Sequence, residues 1–413
     1  MSADSLFHTL AKPSGSRCNL DCSYCFYLDK ERLYPGARMR MRDEVMESWL
    51  TQQVRAFANE AVVPIAWQGG EPTLMGLDFF RRATRVLRGL LRPGQRAEQS
   101  LQTNGVLLDE EWAKFLHDED FLVGLSIDGP APMHDAFRLD KAGGTTHARV
   151  LRAARLLQDH QVQTNAMTCV HSANQHHPEA VYEHLVEELG FRYVQLIPIV
   201  EPGPPLSPRS VQPEAWGRFL IATFDRWVRR DIGRVFFPTF EAALANWMKL
   251  TPAMCVFRPT CGDALALEHN GDLYSCDHFV DPAHHLGNLM DSPLESLARS
   301  AAQRDFGRAK ADLPAQCQRC EVLHACRGEC PKNRVTPSSD GEAGLNYLCA
   351  GYKAFFLHID RPMRLLAEQL QEGRPVEAVM PLLAALEGAE LPRHAPCPCG
   401  SGRKLRRCHG AAG

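Results

Sequence analysis

The residues best suited to do chemistry in this sequence are its cysteines, and their spacing separates them into groups. Fifteen of the 413 residues are cysteines. The first group, Cys18-x3-Cys22-x2-Cys25, supplies three thiolates within one short segment. Soft thiolate ligands favour zinc, copper(I) or an iron–sulfur cluster. A structural zinc ion wants a fourth ligand, whereas a four-iron cluster on three thiolates keeps one iron open. The spacing therefore leaves both a closed zinc site and a catalytic cluster as interpretations.

A second group contains eight cysteines, enough for two fully ligated four-iron clusters or for two zinc sites. Spacing alone chooses neither the metal nor the thiolates that share it. Lone Cys169 lies in a predicted strand, where we expect a small buried core residue. The eight cysteines of the second group are Cys255, Cys261, Cys276, Cys317, Cys320, Cys326, Cys330 and Cys349.

The last group closes the chain at Cys397, Cys399, Cys408 and His409. Three sulfurs and one imidazole suit a tetrahedral zinc ion. From Arg393 to the end there are five Arg or Lys residues and no Asp or Glu, so this tip is basic. The tip either docks on a partner or is an accessory zinc-binding segment that has no specific partner.

The composition excludes several classes of protein. Hydrophobic residues make up 45% and charged residues 23%, as in globular proteins, which argues against wholesale disorder. The net charge of −3 gives no reason to expect a specific nucleic-acid partner. No run approaches the ~18 apolar residues of a membrane span, and the first residues lack the pattern of a secretory signal. An odd number of thiols without an export signal favours reduced cysteines in the cytoplasm.

An alternation of strands and helices must position these residues. Six βα units in series predict a parallel sheet with right-handed crossovers, which is either a complete or incomplete barrel or an open doubly wound sheet. Met46, Trp49, Leu50 and Val54 share one face of the first predicted helix. The predicted strands lie at about 7–12, 62–68, 98–103, 121–127, 161–170 and 191–199, and the predicted helices at about 41–57, 77–91, 109–117, 146–158 and 178–189.

Polar, glycine-rich loops follow the first four predicted strands. They read SGSRCNLDCSYC, GGEPT, TNG and DGP in chain order. In a parallel α/β fold such loops share the carboxyl edge of the sheet, where active sites form. We therefore expect these distant motifs to converge on one site. The alternative is that Gly, Asn and Asp serve here only as turn formers.

The C-x3-C-x2-C triplet with Tyr24 before its last cysteine, together with GGEP at residues 69–72, resembles the radical S-adenosylmethionine (SAM) superfamily. The resemblance implies a partial (β/α)6 TIM-like barrel and an Fe4S4 cluster whose open iron binds SAM, which is cleaved to a 5′-deoxyadenosyl radical. It also implies that Arg138 meets the SAM carboxylate; the alternative is a solvated surface arginine. The other residues that the resemblance assigns to SAM are Tyr24, Gly69, Gly70, Glu71, Thr103, Asn104, Ser126, Asp128 and Leu196.

The middle cysteines resemble the SPASM extension of radical SAM enzymes, which is rich in loops and carries two auxiliary Fe4S4 clusters, so that three clusters are implied in all. In that family the two ligand sets interleave along the chain. The resemblance implies one cluster on Cys255, Cys261, Cys276 and Cys330, and another on Cys317, Cys320, Cys326 and Cys349.

Within the SPASM group, the chain resembles the anaerobic sulfatase-maturating enzymes over about residues 5–370. The stretches WQGGEPT, LQTNG, FLVGLSIDGP, GDLYSCDHFV and NYLC carry this resemblance. It implies oxidation of a Cys or Ser side chain in a sulfatase to Cα-formylglycine: the radical takes a Cβ hydrogen and the second electron leaves to an auxiliary cluster. Asp277 is then the base, and Tyr24 and Gln68 contact the substrate. The alternative for each residue is a structural role: Asp277 in a turn, Tyr24 in packing and Gln68 at the end of a strand.

The resemblance implies two partners, an unfolded or nascent sulfatase polypeptide and a reduced flavodoxin- or ferredoxin-type electron donor, with no membrane. One rival is a SPASM enzyme that makes thioether or carbon–carbon links in a ribosomal peptide. Such enzymes often carry an amino-terminal peptide-binding segment, for which the residues before Cys18 leave no room. The other rival is a non-catalytic zinc-binding scaffold.

The same observations predict four regions. Residues 1–235 form the radical SAM barrel and residues 236–370 the SPASM domain. Residues 371–393 read as a linker with one short helix at 376–386, and residues 394–413 as a small zinc-binding tail. The tail resembles the SEC-C motif, and this resemblance implies a protein or ribosome partner.

Overall fold

The computed structural model describes residues 7–203 and 205–388, together with His394, Arg403, Lys404 and Arg407. Six parallel strands lie side by side in chain order. A doubly wound sheet would reverse its order at an internal point, so this order is the singly wound arrangement of a partial barrel, as predicted. The strands are β1 (His8–Lys12), β2 (Val62–Trp67), β3 (Arg96–Thr103), β4 (Phe121–Ser126), β5 (Thr164–Val170) and β6 (Val194–Pro198).

Amphipathic helices pack against the strands, and the apolar core lies between the two layers. In the first helix Met46, Trp49, Leu50 and Val54 are all buried, as their spacing predicts. The helices are α1 (Asp43–Ala56), α2 (Leu77–Leu90), α3 (Glu110–Asp118), α4 (Ala131–His134), α5 (His147–Asp159), α6 (Pro178–Tyr182, continued by a π-turn over Glu183–Glu188), α7 (Pro213–Arg230), α8 (Pro238–Trp247), α9 (Leu294–Ala298), α10 (Ala301–Ala309), α11 (Ala315–Gln318), α12 (Leu323–Cys326), α13 (Cys349–Gln371) and α14 (Val379–Gly388).

The sheet continues beyond the six barrel strands. A seventh strand, β7 (Ala264–Glu268), pairs in parallel with β1, and β8 (Asp272–Tyr274) and β9 (His285–Asn288) follow antiparallel. The register places Glu268 at the end of β7 directly beside Lys12 at the end of β1. The cysteine-dense region is thereby joined edge to edge with the barrel, at the carboxyl end of its first strand.

The end of the cysteine-dense region also packs on the barrel, where α13 lies along α7. Gly351 makes this close approach possible, because a Cβ there would lie 2.1 Å from the carbonyl oxygen of Pro213. In the segment that we interpret as a linker, Leu382 and Leu383 of α14 are buried against the same core. No helix in the described part of the chain is long and apolar enough to cross a membrane.

Candidate active site

The cysteine triplet and the GGEP loop lie side by side. The Gly70 amide donates to the Gly15 carbonyl at 2.8 Å, and the Glu71 amide donates to the Arg17 carbonyl at the same distance. A Cβ on Gly70 would lie 2.1 Å from the Arg17 carbonyl oxygen, so only glycine permits this approach. The loop that leads into Cys18 is therefore held against the loop that follows β2.

Glu71 joins three loops rather than facing an open cavity. One carboxylate oxygen accepts hydrogen bonds from the Thr73 amide (3.0 Å), the Thr73 hydroxyl (2.7 Å) and the Thr103 hydroxyl (2.8 Å), and the other accepts from the Asn104 amide (2.8 Å). The residue is fully buried. These bonds hold Glu71 in place, but Oε2 accepts a single hydrogen bond from the described residues and so keeps an acceptor position. The assignment of Glu71, with the backbone of Gly69 and Gly70, to the SAM ammonium stays a prediction. Asn104 also donates to the sulfur of Cys18 at 3.6 Å.

The three thiols of the triplet lie within electrostatic reach of one another. Burial, and then nearby negative charges that include the other two thiols, raise the pKa of Cys22 to about 12. Burial likewise raises the pKa of Cys18 to about 11. A soft metal centre binds such thiols as thiolates and replaces their protons, so this set fits a thiolate-ligated cluster. The described cysteines are all free thiols, so no disulfide links Cys18, Cys22 or Cys25.

A buried charge pair lies within electrostatic reach of the triplet. Arg138 donates from Nε and Nη2 to the two oxygens of Asp128, at 2.8 and 3.1 Å. Tyr24 donates its hydroxyl to the same carboxylate, and the ring of His171 stacks on the ring of Tyr24. Although burial alone would raise the pKa of Asp128, Arg138 and His171 hold it far below its usual range. Arg138 is thus buried and paired, not a surface residue.

One more residue that the resemblance assigns to SAM, Ser126, lies at this edge of the sheet. Ser126 accepts a hydrogen bond from Gln102 at 3.1 Å, at the end of β4. Cys169 is half-buried and its sulfur accepts from Arg138 at 3.6 Å, so the prediction of a core residue is wrong. The side chain of Leu196 packs with Val181 and Phe219 between the sheet and the outer helices, so only its backbone is left to contact SAM, and its assignment to SAM stays a prediction.

Lys12 is the centre of the group around the predicted base. Its Nζ donates to Asp277 and, at 3.2 Å, to the amide oxygen of Gln68, and it lies 4.7 Å from the ring centre of Tyr27. Lys12 is 1% exposed and the Asp277 side chain 13%. Burial alone would raise the pKa of Asp277, but Lys12, with smaller contributions from His278 and Lys332, holds the pKa below its usual range. Asp277 is therefore a carboxylate at neutral pH.

Another buried carboxylate, Glu268, lies beside the Lys12–Asp277 pair. Glu268 accepts a hydrogen bond from the Tyr27 hydroxyl and contacts His269 Nδ1 at 3.2 Å. His278, next to Asp277 in the chain, has its pKa lowered to about 4 by burial, so its ring is neutral. Sequence reasoning missed Lys12 and Glu268. One signal could have found them: a charged residue ends each of the two apolar strands, HTLAK and ALALE.

The eight middle thiols fall into two sets by proximity. Burial and then the charges of neighbouring groups, Cys255 and Cys261 among them, raise the pKa of Cys276 to about 12. The same combination, with Cys276 as a neighbour, raises the pKa of Cys330. Cys276 immediately precedes Asp277, so this first set adjoins the Lys12 group.

The second set surrounds a cavity of about 130 Å³, lined by the thiol-bearing residues Cys317, Cys320, Cys326 and Cys349. Burial, and then charges that include those of Cys349 and Cys317, raise the pKa of Cys326 to about 12. Four thiols around one cavity are of the type that binds an iron–sulfur cluster or a zinc ion, although no group of three or more such side chains in the described part of the chain is already arranged to hold a metal ion. The tail residues Cys397, Cys399, Cys408 and His409 lie outside the described residues.

Family models match three parts of the chain. They are the radical SAM superfamily over residues 13–185, the SPASM iron–sulfur cluster-binding domain over residues 255–321, and the SEC-C motif over residues 395–411. A serine-type anaerobic sulfatase-maturating enzyme of Bacteroides thetaiotaomicron is 38% identical over 395 residues, which cover 91% of this chain and 95% of that enzyme. The chain belongs to the anaerobic sulfatase-maturating enzymes.

Both named types of this family are relatives. A cysteine-type anaerobic sulfatase-maturating enzyme of Clostridium perfringens is 35% identical over 356 residues, or 84% of this chain and 94% of that enzyme. A solved structure of native anSMEcpe with bound AdoMet and Cp18Cys peptide covers 88% of this chain and 99% of that one, with a TM-score of 0.79 and 33% identity. Streptococcus suis SuiB bound to its precursor peptide SuiA shares the fold, with a TM-score of 0.58 and 15% identity.

The family, the fold class and the enzyme class predicted from the sequence are confirmed. The protein is a radical SAM enzyme of the sulfatase-maturating type, and its two matched domains are those that bind SAM and iron–sulfur clusters.

Proposed function

We propose that this enzyme oxidises a Cys or Ser side chain of a sulfatase polypeptide to Cα-formylglycine, with Asp277 as the base. The observation that carries the proposal is the Lys12–Asp277–Gln68 group: a buried carboxylate held in its charged form at the carboxyl end of β1, directly after Cys276. It shares this edge of the sheet with the cysteine triplet and the GGEP loop.

The reaction requires the substrate to lose one hydrogen atom from Cβ, one proton from the hydroxyl or thiol, and one electron. When bound, the cluster on Cys18, Cys22 and Cys25 together with SAM supplies the radical that removes the hydrogen atom, and the auxiliary clusters supply a sink for the electron. Asp277 accepts the proton, and Lys12 keeps it ready to do so. Ser then gives the aldehyde directly, and Cys gives a thioaldehyde that water hydrolyses.

The roles of the remaining residues follow from their contacts. Gln68, whose amide oxygen accepts from Lys12, keeps its amide nitrogen for the substrate backbone or side chain. Arg138 and Asp128 form a fixed dipole at the carboxyl ends of β4 and β5, with Tyr24 bonded to it. We propose that the Arg138 side of this pair orients the SAM carboxylate, and that backbone groups of Gly69 and Gly70 hold its ammonium.

We further propose three Fe4S4 clusters, with the auxiliary ligand sets divided as the proximity of the thiols divides them. Anaerobically purified protein should then contain about twelve irons per chain. The tail would bind one zinc ion through Cys397, Cys399, Cys408 and His409 and serve a protein or ribosome partner. A reduced flavodoxin or ferredoxin would supply electrons. Free thiols throughout the described part of the chain support a reducing, cytoplasmic location.

The test is anaerobic incubation of the reconstituted enzyme with SAM, a reductant and a sulfatase peptide that carries Cys or Ser. Formylglycine should appear in the peptide together with 5′-deoxyadenosine. Asp277→Asn should lower formylglycine formation roughly 10²–10⁴-fold, the usual contribution of a general base, while SAM cleavage continues. Glu268→Gln is the matched control, since it neutralises the neighbouring buried carboxylate. Uncoupling in Glu268→Gln and not in Asp277→Asn would assign the base to Glu268.

A further inference from the structure

Lys310 is a buried cation that is held by backbone carbonyl groups rather than by an ion pair with a carboxylate. It follows α10 directly, and its side chain is almost wholly enclosed. Nζ donates to the carbonyl oxygens of Cys255 (2.6 Å), Val256 (2.8 Å) and Arg258 (2.6 Å). An ammonium group has three donors and a neutral amine has two, so three such contacts require the charged form. Among the described residues, no carboxylate lies within salt-bridge distance of Nζ.

The nearest groups that can neutralise this charge are thiolates of the first auxiliary set. Burial raises the pKa of Cys255 and of Cys261, and the charge of Lys310 is the strongest influence that opposes the rise in both. Lys310 is also within electrostatic reach of Cys330 and of buried Glu329. Lys310 does not act on Cys317 or Cys349 of the second set, whose nearest cations are Arg334 and Lys353. Lys353 is exposed, so solvent screens its charge far more than that of buried Lys310.

Burial of a cation without a paired anion lowers the folding stability, which argues against a purely structural role for Lys310. The cost falls when a negatively charged group occupies the adjacent site, and it falls further when that group gains an electron. The reduction potential of an iron–sulfur cluster depends on local charge, on hydrogen bonds and on solvent exposure. A fixed cation beside one cluster therefore stabilises the reduced form of that cluster more than that of a cluster further away.

We propose that Lys310 is a positioning residue for the electron transfer: its charge raises the reduction potential of the cluster on Cys255, Cys261, Cys276 and Cys330, and so makes this cluster the acceptor of the substrate's electron. This inference rests on the proposed function for the ligand sets and the electron sink. It explains why the cation lies beside the set that contains Cys276, the neighbour of Asp277. Proton and electron then leave the substrate toward adjacent charged groups, Asp277 and the Lys310-tuned cluster.

The test measures potentials rather than turnover. The background is the full chain with Cys18, Cys22 and Cys25 replaced by Ala, which leaves the two auxiliary clusters. Potentiometric titration followed by electron paramagnetic resonance gives their midpoint potentials, and a Cys349→Ala variant identifies the first one by removing the second. Lys310→Gln keeps amide donors for the carbonyls but removes the charge, whereas Lys310→Arg keeps the charge. Arg85→Gln, an exposed arginine on α2, is the control for general loss of charge.

We expect Lys310→Gln to disfavour reduction of the first cluster roughly tenfold, which is about 59 mV for one electron. The second midpoint should stay unchanged, and Lys310→Arg should restore the first. An unchanged first midpoint at full iron content would overturn the proposal, and so would an equal shift of both clusters. Loss of the first cluster's iron in Lys310→Gln would make Lys310 a structural cap and overturn it as well. Failure of the unmodified enzyme to oxidise a sulfatase peptide would remove the proposed function yet leave this titration readable.

Discussion

Replacing Lys12 with Met removes the positive charge that faces Asp277 while keeping most of the volume of the side chain. In the unmodified enzyme the pKa of Asp277 lies below its usual range, despite burial, because of Lys12. The proton-accepting form is then fully present above the usual range of an aspartate and is lost only as the pH falls below it. Across neutral pH the activity should therefore show no acidic limb from this group.

Two costs compete in the variant. If Asp277 stays charged, a buried pair has lost one partner, which costs about 3–5 kcal/mol of folding stability. Because the Lys12 side chain is 1% exposed and that of Asp277 13%, solvent does little to relieve this cost. The cheaper outcome is that Asp277 takes up a proton, since burial now raises its pKa against only the weaker influence of His278 and Lys332. Activity should then increase with pH through the neutral range, and at pH 7 it should be well below that of the unmodified enzyme.

The assay is the initial rate of formylglycine formation from pH 6 to 9, with 5′-deoxyadenosine measured in parallel. SAM cleavage should depend on pH far less than peptide oxidation, so the ratio of the two products reports the base. Lys332→Met is the control. Lys332 also lowers the pKa of Asp277, but by less than Lys12 and His278 do, so this variant should change the pH profile less. A flat pH profile with full coupling in Lys12→Met would refute both the pairing and the role of Asp277.

Three further variants test the surroundings of the site. Gly70→Ala would place a Cβ 2.1 Å from the Arg17 carbonyl oxygen, so SAM binding, measured by equilibrium dialysis, should weaken at least tenfold. The control is Gly89→Ala, whose Cβ would meet nothing within 4 Å. This variant should bind SAM normally, and its melting temperature should increase slightly. Glu71→Gln replaces one carboxylate oxygen with an NH2 group, which then faces an N–H or O–H group that also donates. The free energy of unfolding, measured with denaturant, should therefore fall by about 1–3 kcal/mol. Unchanged stability would contradict the role of Glu71 in holding the loops together. Deletion of the chain from Pro396 onward should leave SAM cleavage intact, and its collapse would show that the tail is not an appendage.

The barrel could be predicted from the sequence because each of its strands carries a local signal. The apolar runs in the sequence lie where the structure has strands, and helical patterns separate them. Only the order of the strands within the sheet was left open. The GGEP and cysteine motifs follow their strands, so their convergence also follows from the topology. Lys12 could not be paired in this way. Its partner Asp277 lies 265 residues further along the chain, and only the register of β1 with β7 brings them together.

The side chains of Leu196 and Cys169 show how strongly such predictions depend on the face of a strand. Side chains in a strand alternate between two faces, so an error of one residue exchanges the barrel interior for the outer core. Leu196 faces the outer helices, and Cys169, which we placed in the core, lies beside Arg138. Likewise, cysteine spacing cannot divide eight thiols into two sets, because distance along the chain does not determine distance in space for loops.

The most direct test of radical chemistry at Cβ uses a sulfatase peptide whose target Cys or Ser carries deuterium at that carbon. The account predicts that deuterium appears in 5′-deoxyadenosine in proportion to the formylglycine produced, and that Asp277→Asn retains this transfer while it loses the aldehyde. Unlabelled 5′-deoxyadenosine together with an unchanged peptide would contradict it and would point to a different substrate or a different hydrogen.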